Sequence, residues 1–91
     1  MIIYNPQNET LLKERIKSAE ELLKQIPAKY CFITGSFLYK KKYHDIDIFV
    51  ISRSKREFVV NNKKAKITVI DFNDLHSLFY RSVSKSCIAK N

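Results

Sequence analysis

A small α+β fold of the α/β class is predicted: a two-layer sandwich with a mixed sheet of about four strands and helices on one face. Three features of the sequence predict it. Apolar residues recur at helical spacing from Leu12 to Ile26, short β-prone runs follow at 30–34, 45–51 and 66–70, and the only glycine, Gly35, stands where the first run ends. The 91 residues make one domain, 1–91, since a second core would not fit. With 45% hydrophobic and 29% charged residues but one Gly and two Pro, the chain is neither disordered nor low-complexity. No apolar run reaches the roughly 18 residues of a membrane span. A signal-type apolar core behind a basic start is also missing, so a cytoplasmic protein is expected.

The elements follow in order. Asn5-Pro6 reads as a helix cap followed by proline in the first turn. Leu12, Ile16, Ala19, Leu23 and Ile26 then form an apolar stripe, which predicts a helix over about 6–26 that Pro27 stops. Glu9 with Lys13, Lys17 with Glu21 and Glu20 with Lys24 supply charge partners four residues apart. Tyr30–Thr34 reads as a strand ending at Gly35, and Ser36 to about Lys41 as a short helix. Asp45–Ile51 is the next strand, with Ile46, Ile48 and Val50 on one face and Asp45, Asp47, Phe49 and Ile51 on the other. Phe58–Val60 and Lys66–Ile70 read as two further strands around a hairpin turn at 61–64. Asp71, with Asp74 three residues on, predicts the start of a helix through Phe72, Leu75, Phe79 and Val83. The last residues carry no clear pattern.

The net charge of +8 is unevenly spread. Between residues 40 and 66 lie nine basic and three acidic side chains, while the flanking segments are nearly balanced. Such a concentration suits a polyanionic partner, whether nucleic acid, nucleoside triphosphate or an acidic protein surface; lysine-rich loops kept for solubility are the alternative. Cys31 and Cys87 are too few for a disulfide framework and read as free thiols. With His44 and His76 they match no zinc spacing.

The residues suited to chemistry lie between Gly35 and Asp47. Alternation on a strand puts Asp45 and Asp47 on one face, about 6–7 Å apart. Two carboxylates so close repel unless a cation lies between them, which favours Mg²⁺ or Mn²⁺ with hard oxygen ligands. Gly35 permits a close backbone approach, and the start of a helix at Ser36 offers N–H groups to phosphate. Lys40, Lys41 and Lys42 are placed to touch a triphosphate or a nucleic-acid backbone, with Tyr39 and Tyr43 beside them for base stacking or core packing.

The stretch Phe32-Ile33-Thr34-Gly35-Ser36, a short intervening segment and then Asp45-Ile46-Asp47-Ile48 resembles the signature of the minimal nucleotidyltransferases, within the DNA polymerase β-like superfamily. The run from Ile67 to Leu75 is similar to the strand and helix start that come later in those proteins. The resemblance implies a nucleotidyltransferase-like fold, with Gly35 and Ser36 on the nucleotide phosphates and Asp45 and Asp47 as metal-holding catalytic residues. It also implies a small helical HEPN-type protein partner, in a toxin–antitoxin-like pair.

Two departures bear on catalysis. Eight residues separate Ser36 from Asp45, slightly fewer than is usual in the family, and the family's third carboxylate aligns with Thr68. Threonine is a poor metal ligand and cannot act as a base at neutral pH. Glu57 and Asp71 are the nearest substitutes. Two readings follow: an enzyme that binds Mg–NTP and transfers NMP to a protein or RNA acceptor, or a catalytically degenerate fold that binds a partner or RNA.

Overall fold

The apolar stripe folds as a helix, but a shorter one than its periodicity suggests: α1 spans Lys13–Lys24. In the computed structural model of the chain, which describes residues 1–53, 57–71, 73 and 86–90, five strands accompany it. They are β1 (Ile2–Tyr4), β2 (Tyr30–Thr34), β3 (Ile46–Ser52), β4 (Ala65–Asp71) and β5 (Cys87–Ala89). A single 3-10 turn over Ser36–Leu38 links β2 towards β3.

Residues 6–12 do not join the helix, because Asn5 is engaged elsewhere. Its side-chain amide donates to the Glu9 carbonyl and its side-chain oxygen accepts from the Glu9 N–H, closing a loop instead of capping a helix. Helix α1 begins without a side-chain cap at Leu12, whose own N–H donates to the Leu38 carbonyl at 2.9 Å. Glu9 therefore cannot pair with Lys13 across a helical turn. Of the three charge pairs expected on the helix, Glu20–Lys24 forms an ion pair at 3.8 Å.

The sheet order is β1-β5-β2-β3-β4, antiparallel throughout except for the parallel pair β3–β4. This replaces the predicted hairpin. Residues 57–60 form no strand, and β4 arrives beside β3 through a crossover, as parallel neighbours require. Phe58 and Val60 pack against the core, and the Asn61 N–H donates to the Gln25 side chain at 2.7 Å, tying the crossover to the end of α1. Strands β1 and β5 were not anticipated. They are three residues each, too short to show alternation, and they pair with each other and with β2. The helix predicted after Asp71 falls on residues 72 and 74–85, outside the described residues. Among the described residues no helix is long and apolar enough to cross a membrane.

The core lies between α1 and one face of the sheet. Ala19, Leu22, Leu23 and Ile26 of the helical layer meet Cys31 and Ile33 of β2, Ile46, Ile48 and Val50 of β3, and Ile88 of β5. Phe37 and Leu38 close one end. The opposite face carries a row running straight across the strands: Tyr4, Cys87, Thr34, Asp47 and Lys66 are successive register partners.

Ile48 is fully buried at the centre of this layer, whereas Val59 is 83% exposed. Urea denaturation should show Ile48→Ala losing about 2–5 kcal/mol and Val59→Ala changing stability by less than about 0.5 kcal/mol. Comparable losses from both would contradict the parallel β3–β4 arrangement.

Candidate functional site

Antiparallel pairing of β2 with β3 sets Thr34 opposite Asp47, so the next residue, Gly35, turns off the sheet directly beside that aspartate. Gly35 has φ 99° and ψ −170°, a backbone region essentially confined to glycine. A Cβ placed on it would stand 3.1 Å from Oδ2 of Asp47. The missing side chain is thus replaced by a carboxylate oxygen, and the one glycine of the chain is explained by two requirements at once.

Beyond Gly35 the expected helix is one 3-10 turn, ended at Leu38 rather than Lys41. Leu38 N–H donates to the Gly35 carbonyl, while the Tyr39 and Lys40 N–H groups both donate to the Ser36 carbonyl at 3.2 and 2.8 Å. Burial of Phe37 and Leu38 pins the turn to the core. So short a turn has little macrodipole, and what Gly35 and Ser36 offer an anion is local: backbone N–H groups and the Ser36 hydroxyl. Lys40 is joined to this turn through its backbone, and its ammonium lies 5.9 Å from the Tyr39 ring.

Asp47 is half-buried within β3, whereas Asp45 is exposed and immediately precedes that strand. Parallel β4 begins at the same end. The Ile46 N–H donates to the Lys64 carbonyl at 2.9 Å, and Lys66 is the register partner of Asp47. Thr68 is exposed on the same face, but two residues further along, opposite Phe49. The position beside Asp47 is therefore taken by a cation, not by Thr68. Asp71 pairs with Ser52 at the far end of β4, roughly 16 Å along the strand from Lys66, and cannot share a ligand with Asp47. Its carboxylate instead accepts from the Asn73 N–H at 3.0 Å. Glu57 is exposed in the crossover. Among the described residues no three His, Cys, Asp or Glu side chains converge. Two carboxylates, one backbone turn and several lysines are thus gathered at one end of the sheet.

Three features were not legible as site elements. Lys66 is selected only by strand register. Arg15 sits in the first turn of α1 and reaches the loop between Ser36 and Asp45. Thr34 and Ser86, both buried, form a polar network: Thr34 Oγ1 donates to the Ser86 carbonyl at 2.7 Å, and Ser86 Oγ lies 2.6 Å from Asn5 Oδ1 and 3.2 Å from Glu9 Oε2. No periodicity in the sequence relates Asn5, Thr34 and Ser86. Tyr39 and Tyr43 both pack partly against the core, and Tyr43 meets Phe37 edge-on at 4.9 Å.

Both cysteines are free. Cys31 lies on the core side of β2 and Cys87 on the opposite side of β5, in the row containing Asp47. Burial pushes both thiols above their ordinary range, with the Lys90 charge partly opposing it at Cys31. Both are therefore protonated at neutral pH, which makes Cys87 a poor nucleophile. No protein-family model matches the chain, and no curated protein or solved structure matches it.

The contact between Gly35 and Asp47 predicts a coupled response. Gly35→Ala should cost about 1–3 kcal/mol, part from φ and part from displacing the Asp47 carboxylate. In an Asp47→Ala background the same substitution should cost less, because the displaced atoms are gone. Urea denaturation of the four proteins measures this, and additive effects would show that the two residues do not meet.

Proposed function

We propose that this chain is a minimal-nucleotidyltransferase-like protein that binds a nucleoside triphosphate with Mg²⁺ or Mn²⁺ at the end of β2 and β3. The observation that carries this reading is the Gly35 turn held against the Asp47 carboxylate, which brings a phosphate-accessible backbone and a hard oxygen ligand together. In this reading Asp45 and Asp47 hold the divalent ion, Gly35 and Ser36 hold phosphate oxygens, and Lys40 adds charge to the triphosphate. The donor set fits such an ion, since both side chains offer carboxylate oxygens and neither offers sulfur or imidazole. When bound, the ion would neutralise charge on the phosphates and help fix their orientation.

The reaction this arrangement suits is nucleotidyl transfer. An acceptor hydroxyl on a protein or RNA bonds to the α-phosphorus, pyrophosphate leaves with the electrons of the broken P–O bond, and the hydroxyl proton passes to solvent. The chain's own residues position the triphosphate and supply charge. A small helical HEPN-type protein, in a toxin–antitoxin-like pair, is the partner this reading favours, and cytoplasmic nucleotide is the substrate pool.

A second reading is favoured by Lys66 standing beside Asp47 without a third carboxylate among the described residues. Here the nucleotidyltransferase-like fold is catalytically degenerate and serves as a partner-binding or RNA-binding module. The basic segment 40–66 is its contact surface.

Calorimetry should show Mg²⁺ strengthening ATP or GTP binding, with Asp47→Asn abolishing that enhancement in a folded protein. Label transfer from α-labelled NTPs separates the readings. Weak or undetectable wild-type transfer is expected from an incomplete enzyme; binding that ignores Mg²⁺ in both proteins would remove the metal site.

The charge distribution yields a separate expectation for an anionic partner. Neutralising Lys40, Lys41 and Lys42 together should weaken binding to single-stranded RNA and flatten its salt dependence, by up to about two in the log–log slope. Equal flattening on neutralising Lys13, Lys17 and Lys24 would show that only net charge matters.

A further inference from the structure

Among the described residues Arg15 is a cation without an acid. Its guanidinium Nη1 donates to the Phe37 carbonyl at 3.0 Å and, at longer range, to that of Lys40 at 3.4 Å, while Nη2 donates to the Lys41 carbonyl at 3.0 Å. Its Cζ lies 5.0 Å from the Phe37 ring centre and 4.4 Å from that of Tyr43. Lys64, from the turn leading into β4, places its ammonium 4.5 Å from the same Tyr43 ring. Among the described residues no carboxylate lies within ion-pair distance of Arg15.

These partners of the Arg15 guanidinium all belong to the loop running from Ser36 to Asp45. One end of that loop is the Gly35-Ser36 turn and the other is the aspartate pair. A planar guanidinium can satisfy several divergent carbonyls and stack on rings together, whereas an ammonium cannot. We infer that Arg15 is a positioning residue for the site: it holds the 37–43 loop against α1 and so fixes where Ser36, Lys40 and Asp45, at and between the ends of that loop, stand around Asp47. The inference rests on the nucleotide-binding reading for its functional consequence, but the clamp itself is measurable without nucleotide.

The helix thereby contributes to the site although no residue of α1 belongs to the predicted set. Lys64 extends the clamp to the turn before β4 through the shared Tyr43 ring, so the helix, the loop and that turn meet at one aromatic side chain. Without Arg15 the carbonyls of 37, 40 and 41 would turn to water, and the 3-10 turn, still anchored by buried Phe37 and Leu38, would open more often.

Two measurements on wild type, Arg15→Met and Arg15→Lys test this. Hydrogen exchange reads the Leu38, Tyr39 and Lys40 amides, which are bonded within the loop, against Ile33 and Ile48 in the sheet. Calorimetry with Mg–ATP reads the site. In Arg15→Met the loop amides should exchange at least about tenfold faster while the sheet amides hold, and affinity should fall by at least about tenfold at an unchanged melting temperature. Arg15→Lys should not restore either, and it carries the comparison if Arg15→Met does not fold. Unchanged loop exchange would overturn the clamp. Faster exchange with unchanged Mg–ATP affinity would overturn the positioning role alone. A wild type that binds no Mg–ATP would overturn the reading of the site, and with it any role for Arg15 in positioning it.

Discussion

The close approach of Gly35 to Asp47 constrains the whole end of the molecule where chemistry is placed. At φ 99° the chain leaves β2 in a direction that an L-residue with a side chain resists, and a carboxylate oxygen fills the space a Cβ would need. Asp47 is itself fixed, since the residues on either side of it, Ile46 and Ile48, are fully buried and set the strand's facing. Beyond that contact the chain makes its 3-10 turn, buries Phe37 and Leu38 and returns to β3 at Ile46. Arg15 donates to three carbonyls along that return, those of Phe37, Lys40 and Lys41. On the other side of Thr34, Ser86 and Asn5 satisfy the strand end and fasten β5 and the β1–α1 loop to it. The site is thus braced from both flanks by polar contacts that involve no helix cap and no ion pair.

Charge is organised around the same point. Lys40 and Lys64 rest near aromatic rings and Lys66 lies beside Asp47 in register. Contacts of this kind contribute only about 0.5–1 kcal/mol each at exposed sites, too little to cancel a cation's field. They fix where the charges stand while leaving them able to attract an anion. On α1 the pattern differs, for there Lys24 is matched by Glu20 one turn away. At the end of the sheet that bears the aspartates, Lys40, Lys64 and Lys66 stand close to Asp47 and the Gly35 turn.

What the sequence made legible was local. The stripe ending at Ile26, the runs at 30–34 and 66–70 and the alternation of Ile46, Ile48 and Val50 each reflect burial of one face, and each element is present. Gly35 was readable because a lone glycine after a strand has few other uses. The start of α1 was misjudged because Asn5 caps a loop as readily as a helix, and its side chain bonds Glu9. The hairpin at 61–64 was misjudged because two apolar runs around an Asn-rich turn do not reveal that β4 pairs in parallel through a crossover. Lys66 and Arg15 depended on register and tertiary contact, which leave no periodic trace.

The proposed site places a divalent ion with nucleotide between the Gly35 turn and the aspartates. Paramagnetic broadening by Mn²⁺ in the presence of ATP, followed amide by amide, tests it most directly. Gly35, Ser36, Asp45, Asp47 and Lys66 should broaden most, and Tyr30, Ile51 and Asp71, at the other end of the same strands, should broaden least. Broadening centred on the acidic face of α1 at Glu20 and Glu21, or uniform across the sheet, would contradict it.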